Sequence, residues 1–345
     1  MELHGYDMGI ESAVARIRDA GISSIGLQFP DGLRDHAAEF AEIFERETGA
    51  GVVISASPCY GACDLADSEM KDAGAEALVH FGHAEIPELE STYELPVFFV
   101  EAVSTCDVIP AVRNALAFLD GGKRIGVVAP IQHARRIGEV AEFLSRNGFT
   151  PVVGKGDCRI ACPGQLLGCN MTAGGEIAGG VDAFLFVGSG NFHPLGLAVA
   201  TGKRVVVADP HSGEARLAEL EELRDKVLRQ RFAAITAAKD ARSFGILVST
   251  KPGQTRMALA RSILRKLRSL GRSAHIIAMR QFTPDSLLYF RKLDAFVSTA
   301  CPRIAIDDRS RYDVPMITPI ELEIALGERE WGDYAFDEIK EGDNA

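Results

Sequence analysis

Residues 51–67 read Gly-Val-Val-Ile-Ser-Ala-Ser-Pro-Cys-Tyr-Gly-Ala-Cys-Asp-Leu-Ala-Asp. An apolar run without polar alternation opens the stretch, and it predicts a strand over 51–57 that is buried on both faces, as in a parallel sheet. The turn that follows carries Cys59 and Cys63. In open parallel sheets ligands bind beyond the carboxyl ends of the strands, so these thiols stand where a ligand is expected. Two thiols do not complete a metal site, and the remaining donors have to come from elsewhere in the chain.

Working outward, Ile10, Val14 and Ile17 fall at helical spacing, and a strand over 24–29 leads into the turn Pro30-Asp31-Gly32. A helix with Leu33, Ala37, Phe40 and Phe44 on one face is closed by Gly49. Strands over 77–82 and 97–102 complete a first unit. The same order recurs. A strand over 124–130 precedes a helix with Ile137, Val140, Phe143 and Leu144 inward, then a strand over 150–154, a cysteine-rich loop, and strands over 183–188 and 204–209. A long polar helix over about 213–241 bridges to a third unit, with strands over 244–249, 274–278, 295–299 and 314–318. Repetition on this scale predicts an α/β protein of three similar parallel-sheet domains, an internal triplication spanning 1–110, 111–220 and 221–345. The acidic tail from Glu328 has few apolar anchors and is expected to pack loosely.

At 345 residues the chain exceeds the length at which one core stops growing, in agreement with several domains. No stretch approaches 18 continuous apolar residues and no basic leader opens the chain, so a cytoplasmic protein without a membrane partner is expected. In that compartment the seven cysteines are read as free thiols, redox groups or metal ligands. A net charge of −11 argues against a nucleic-acid partner.

Cysteines recur at strand ends. Cys59 and Cys63 follow the second strand of the first unit, and Cys158, Cys162 and Cys169 that of the second. Cys301 follows the third strand of the last unit, and Cys106 the fourth strand of the first. If the domains face one another, one cysteine from each meets at a shared centre. Zinc prefers local pairs such as C-x2-C, which are absent here; a zinc site from Cys158, Cys162, Cys169 and a histidine is the alternative. An iron–sulfur cubane tolerates thiolates from distant segments. The C-x3-C-x2-C signature of ordinary radical S-adenosylmethionine enzymes is missing, since position 66 is alanine. His80 and His83, at a strand end, are read as capping or packing residues.

The flanking motifs are QFPDGL (28–33), SPCYGACDLAD (57–67), PGQLLGCN (163–170), GNFHPLG (190–196), KPGQ (251–254) and STACPRIAIDD (298–308). Together they resemble the archaeal 2-(3-amino-3-carboxypropyl)histidine synthases, which carry out the first step of diphthamide biosynthesis. The resemblance implies three similar α/β domains around a central 4Fe-4S cluster, in a homodimer. It implies one cysteine ligand per domain, here Cys59, Cys169 and Cys301, with Cys63, Cys106, Cys158 and Cys162 outside the ligand set. The fourth iron is left for S-adenosylmethionine. Cleavage between its sulfur and γ-carbon yields methylthioadenosine and a 3-amino-3-carboxypropyl radical, which adds to C2 of a histidine imidazole on translation elongation factor 2. A separate electron donor is implied.

Near S-adenosylmethionine the motifs place Gln28 and Asp31 in the first turn, Gly188 and His193 in the second unit, and Arg303 and Asp307 after Cys301. Lys251 in KPGQ is a further candidate. Two readings compete with the transferase: a zinc-stabilised, non-catalytic binding module, and an assisting subunit that binds the elongation factor.

Overall fold

The computed structural model describes residues 2–3, 5–119 and 121–343. Three parallel sheets carry the architecture. In the first, the strand order is Gly51–Ile54, Ser24–Gln28, Ala77–Phe81, Val97–Val100. The second runs Thr150–Val152, Arg124–Val128, Ala183–Val187, Val205–Asp209, with Glu214–Arg216 added antiparallel at the edge. The third runs Ser273–Met279, Ser243–Ser249, Ala295–Ser298, Met316–Ile317. Numbered by chain order within each sheet, the parallel strands follow one sequence, 2-1-3-4, three times. The loops that carry Cys59, Cys63, Cys169 and Cys301 therefore leave their sheets at the carboxyl ends of parallel strands.

The third strand of each sheet is buried throughout, over Ala77–Phe81, Ala183–Val187 and Ala295–Ser298. Side chains on both faces meet packed helices, which is why these segments read as apolar runs. Phe29, Phe40, Phe44 and Phe81 fill one side of the first sheet, Ile125, Val127, Val140 and Leu144 one side of the second, and Phe244, Ile246, Ile263 and Leu267 one side of the third.

Several segments cross from one sheet to another. Val108, Ala111, Val112 and Ala115 pack into the core of the second sheet. The helix Ala218–Ala238 starts against the second sheet through Leu220 and ends in the third core through Ala234, Ile235 and Ala238. Glu2–Leu3 and Tyr6–Asp7 form a small antiparallel sheet with Val103–Ser104.

The tail departs from the sequence expectation. Phe336 and Ile339 are 4% and 0% exposed, and Asp337, 3% exposed, pairs with buried Arg256 at 3.0 Å. The Ile339 N–H donates to the Cys169 carbonyl at 2.7 Å, and Asn170 Nδ2 donates to the Ile339 carbonyl at 3.0 Å. Two apolar anchors suffice because the intervening backbone and carboxylates find partners on other segments.

Candidate functional site

The strand Gly51–Ile54 is shorter than its apolar run suggests. Ser55 N–H still bonds the Leu27 carbonyl, and the chain then leaves the sheet as an irregular loop. The loop is pinned from inside by Gln28, whose Nε2 donates to the Asp64 carbonyl at 2.8 Å while its Oε1 accepts the Ala66 N–H at 3.1 Å. From the third unit, Lys251 Nζ donates to Asp64 Oδ2 at 2.7 Å, with both side chains buried. Arg280 donates to the Leu65 carbonyl at 2.6 Å.

Cys63 is the residue at which this loop meets the third unit. Its carbonyl accepts the Gly253 N–H at 3.2 Å, and its Sγ accepts from Gln254 Nε2 at 3.2 Å. Gly253 leaves no room for a side chain, because a Cβ there would stand 2.5 Å from Cys63 Cβ and 2.6 Å from its Cα. Fully buried Arg159 completes the junction from the second unit, donating to the Gly253 carbonyl at 3.0 Å and to Glu88 at 2.7 Å.

Cys169 follows a loop laid on the end of strand Arg124–Val128, where Ala129 pairs with both the Gly164 carbonyl and the Leu166 N–H. Cys301 caps the short helix Pro302–Ile306 directly beyond strand Ala295–Ser298. The Cys169 thiol is pushed up by burial first and then by the neighbouring thiols of Cys63 and Cys301. Cys301 is pushed up to about 12 by burial and then by Cys63. Burial also raises Cys63, opposed by its bond from Gln254. The three thiols therefore share one electrostatic environment at the meeting point of the three sheets. Among the described residues they do not form a group whose donor atoms all lie within 4.8 Å of one another, as a single-ion site does. Cys169 is buried, whereas Cys63 and Cys301 keep partial exposure.

The sequence expectation named Cys59 for the first unit. In the structure it is Cys63 that docks on the Gly253 loop and neighbours Cys169 and Cys301. Cys59 instead faces His80 and His83, with one donor atom from each of the three within 4.8 Å of the others. Its thiol is pushed up to about 12, chiefly by burial.

Of the remaining candidates, Gln28 is a buried positioning residue, holding His80 Nδ1 at 2.8 Å as well as the cysteine loop. Asp31 turns outward, its side chain 72% exposed beside Arg34, because the helical turn after Pro30 points it away from the sheet end. Gly188 serves the backbone: at φ 154° its added Cβ would meet Pro130 at 3.0 Å and the Phe186 ring at 3.2 Å. His193 stacks on Phe186 and is held down to about 4 by burial, then by Arg303 and His83. Arg303 lies over the Phe192 ring at 4.4 Å and bonds Asp307 at 2.9 Å. Burial raises the Asp307 carboxyl against the pull of Arg303. His83, His193 and Arg303 thus bring one side chain from each sheet together.

Cys158, Cys162 and Cys169 do not gather as a local zinc site would require. Cys158 is exposed and faces Glu88, Glu341 and Asp157, while Cys162 faces Glu101 and Arg135. Cys106 lies 3.5 Å from His211 Nδ1 at the seam of the first two units. Sequence reasoning missed Arg159, Gln254 and the tail; of these only Gln254 sat in a motif singled out beforehand.

The family model of diphthamide synthesis proteins matches residues 29–335. The chain belongs to that family. It is 39% identical over 327 residues to 2-(3-amino-3-carboxypropyl)histidine synthase of Pyrococcus horikoshii, covering 94% of this chain and 92% of the relative. It is 31% identical to subunit 1 of the same enzyme in Gallus gallus, covering 94% of this chain and 78% of that one. Among solved structures, Dph2 from Pyrococcus horikoshii with a 4Fe-4S cluster superposes with a TM-score of 0.87 at 37% identity, over 97% of this chain and 94% of that one. No helix among the described residues is long and apolar enough to cross a membrane.

Proposed function

We propose that this chain is a 2-(3-amino-3-carboxypropyl)histidine synthase. It transfers the 3-amino-3-carboxypropyl group of S-adenosylmethionine to C2 of a histidine on translation elongation factor 2, releasing methylthioadenosine. The observation that carries the reading is the convergence of Cys63, Cys169 and Cys301 from three sheets, coupled to one another yet more widely spaced than one ion's ligands. That donor set fits a 4Fe-4S cluster, which takes thiolates from distant segments. When bound, the cluster supplies the electron and the open iron position for radical cleavage of the sulfonium's bond to the γ-carbon.

The chain's own residues do the positioning. Gln254 and Arg159 bring hydrogen-bond donors and positive charge to the thiolates, stabilising a net negative centre. Arg303, 51% exposed and braced by Asp307, receives the carboxylate of the methionine moiety. His193, held neutral by burial, lines the same face without adding charge that would repel a sulfonium. Closure between three units keeps bulk water from the reacting centre. The protein works in the cytoplasm as a homodimer, with reducing equivalents from a separate donor.

The test is an anaerobic assay of reconstituted protein with S-adenosylmethionine, a reductant and the elongation factor. Methylthioadenosine and a modified histidine are expected. Formation of 5′-deoxyadenosine, or a protein that takes up no iron, would overturn the reading.

A further inference from the structure

Cys59, His80 and His83 are left without a part in the reaction, yet they stand together. Two residues are deeply enclosed, with Cys59 4% and His80 0% exposed, while half-buried His83 forms the side open to solvent. The hydrogen bonds fix the imidazole tautomers. Gln28 accepts the Ala66 N–H at Oε1 and donates from Nε2 to the Asp64 carbonyl, so its Oε1 is the atom that faces His80 Nδ1 at 2.8 Å. An oxygen there requires Nδ1–H, which leaves His80 Nε2 with its lone pair directed away from Gln28, toward His83 Nδ1 at 3.0 Å. A metal-ligating histidine held by a carbonyl oxygen on its other nitrogen has this arrangement.

We propose that Cys59, His80 and His83 form a second metal site, for a zinc-class divalent cation, beside the cluster thiols. One thiolate and two imidazoles are a borderline-soft set of the kind such ions prefer, with the fourth position left to water. Tetrahedral geometry with metal–nitrogen distances near 2.0–2.1 Å separates two nitrogens by about 3.3 Å. The observed 3.0 Å between the imidazoles needs only a small widening. Binding releases one proton, that of the Cys59 thiol, while the proton held between the two rings passes to His83 Nε2 as Nδ1 takes the ion, and the site is left with a net charge of +1. Half-buried His83 gives the ion its way in. The site is independent of the transferase reading, since it shares no donor with Cys63, Cys169 and Cys301.

The experiment uses the full chain with its cluster reconstituted, so that the cluster thiolates are occupied. It is incubated with zinc, desalted, and assayed for zinc and iron per chain beside Cys59→Ser and His83→Gln. Wild type is expected to retain one zinc per chain and to melt at a higher temperature with zinc than without. Both variants are expected to lose the zinc and the thermal shift while keeping the full iron content. Cobalt added to cluster-free wild type is expected to give a thiolate-to-cobalt charge-transfer band that Cys59→Ser abolishes and Cys63→Ser leaves. Substoichiometric zinc in wild type, or zinc retained by both variants, would overturn the proposal. So would Cys59→Ser losing iron together with zinc, because that result makes Cys59 a cluster ligand.

Discussion

Gly253→Ala tests how the third unit holds the cysteine loop. The added Cβ would meet Cys63 Cβ at 2.5 Å, Cys63 Cα at 2.6 Å and Leu89 Cδ1 at 2.8 Å. Carbon atoms in contact sit about 3.5–4.0 Å apart, so the overlap is about 1 Å. One clashing atom is backbone, and no rotamer change relieves it. The loop has to retreat, stretching the Gly253 N–H bond to Cys63 and the Arg159 bond to the Gly253 carbonyl. Overpacking costs about 1–3 kcal/mol and each strained hydrogen bond about 1 kcal/mol, which together give about 3–5 kcal/mol. Cys63 is displaced by a similar ångström, so iron uptake should fall with stability. Denaturant unfolding and iron analysis after anaerobic reconstitution read the two effects. A variant within about 0.5 kcal/mol of wild type that takes up full iron would refute the docking role of Cys63.

Other perturbations separate the scaffold from the site. Gly138, exposed in the helix Ile137–Arg146 with nothing near its Cβ direction, should gain about 0.5–1 kcal/mol as alanine, measured by the same unfolding curve with iron uptake unchanged. Arg231→Met strands Glu321, which is 0% exposed and paired to Arg231 at 2.5 Å; a loss of about 3–5 kcal/mol is expected in denaturant melts. His133, 3% exposed, is held down to about 4 by burial and then by His211, below its unfolded value near 6.5. The unfolded chain therefore binds more protons between these values. The contribution is complete above about 6.5 and is lost as pH falls toward 4, with about 2 kcal/mol of it gone near pH 5. His133→Gln should flatten the acid side of the stability profile by that amount.

Much of the fold was legible because three buried strands read as unbroken apolar runs, with glycine-closed helices between them. The motif at 57–67 was also legible, but nothing local in it shows which of its two cysteines docks on the third unit. Cys59 and Cys63 share one turn, and only the contact with Gly253, almost two hundred residues away, distinguishes them. The grouping of Cys59 with His80 and His83 escaped for the same reason, since it depends on how the loop folds back over the first sheet. The tail was misread from composition: Phe336 and Ile339 are few, but Asp337, with buried Arg256, and the Ile339 backbone, with Cys169, tie it across two units.

Iron and sulfide content of anaerobically reconstituted single variants tests the central claim most directly. Cys63→Ala, Cys169→Ala and Cys301→Ala are each expected to lose the full cluster, while Cys59→Ala retains it. A Cys63→Ala protein that keeps its cluster while Cys59→Ala loses it would contradict the account.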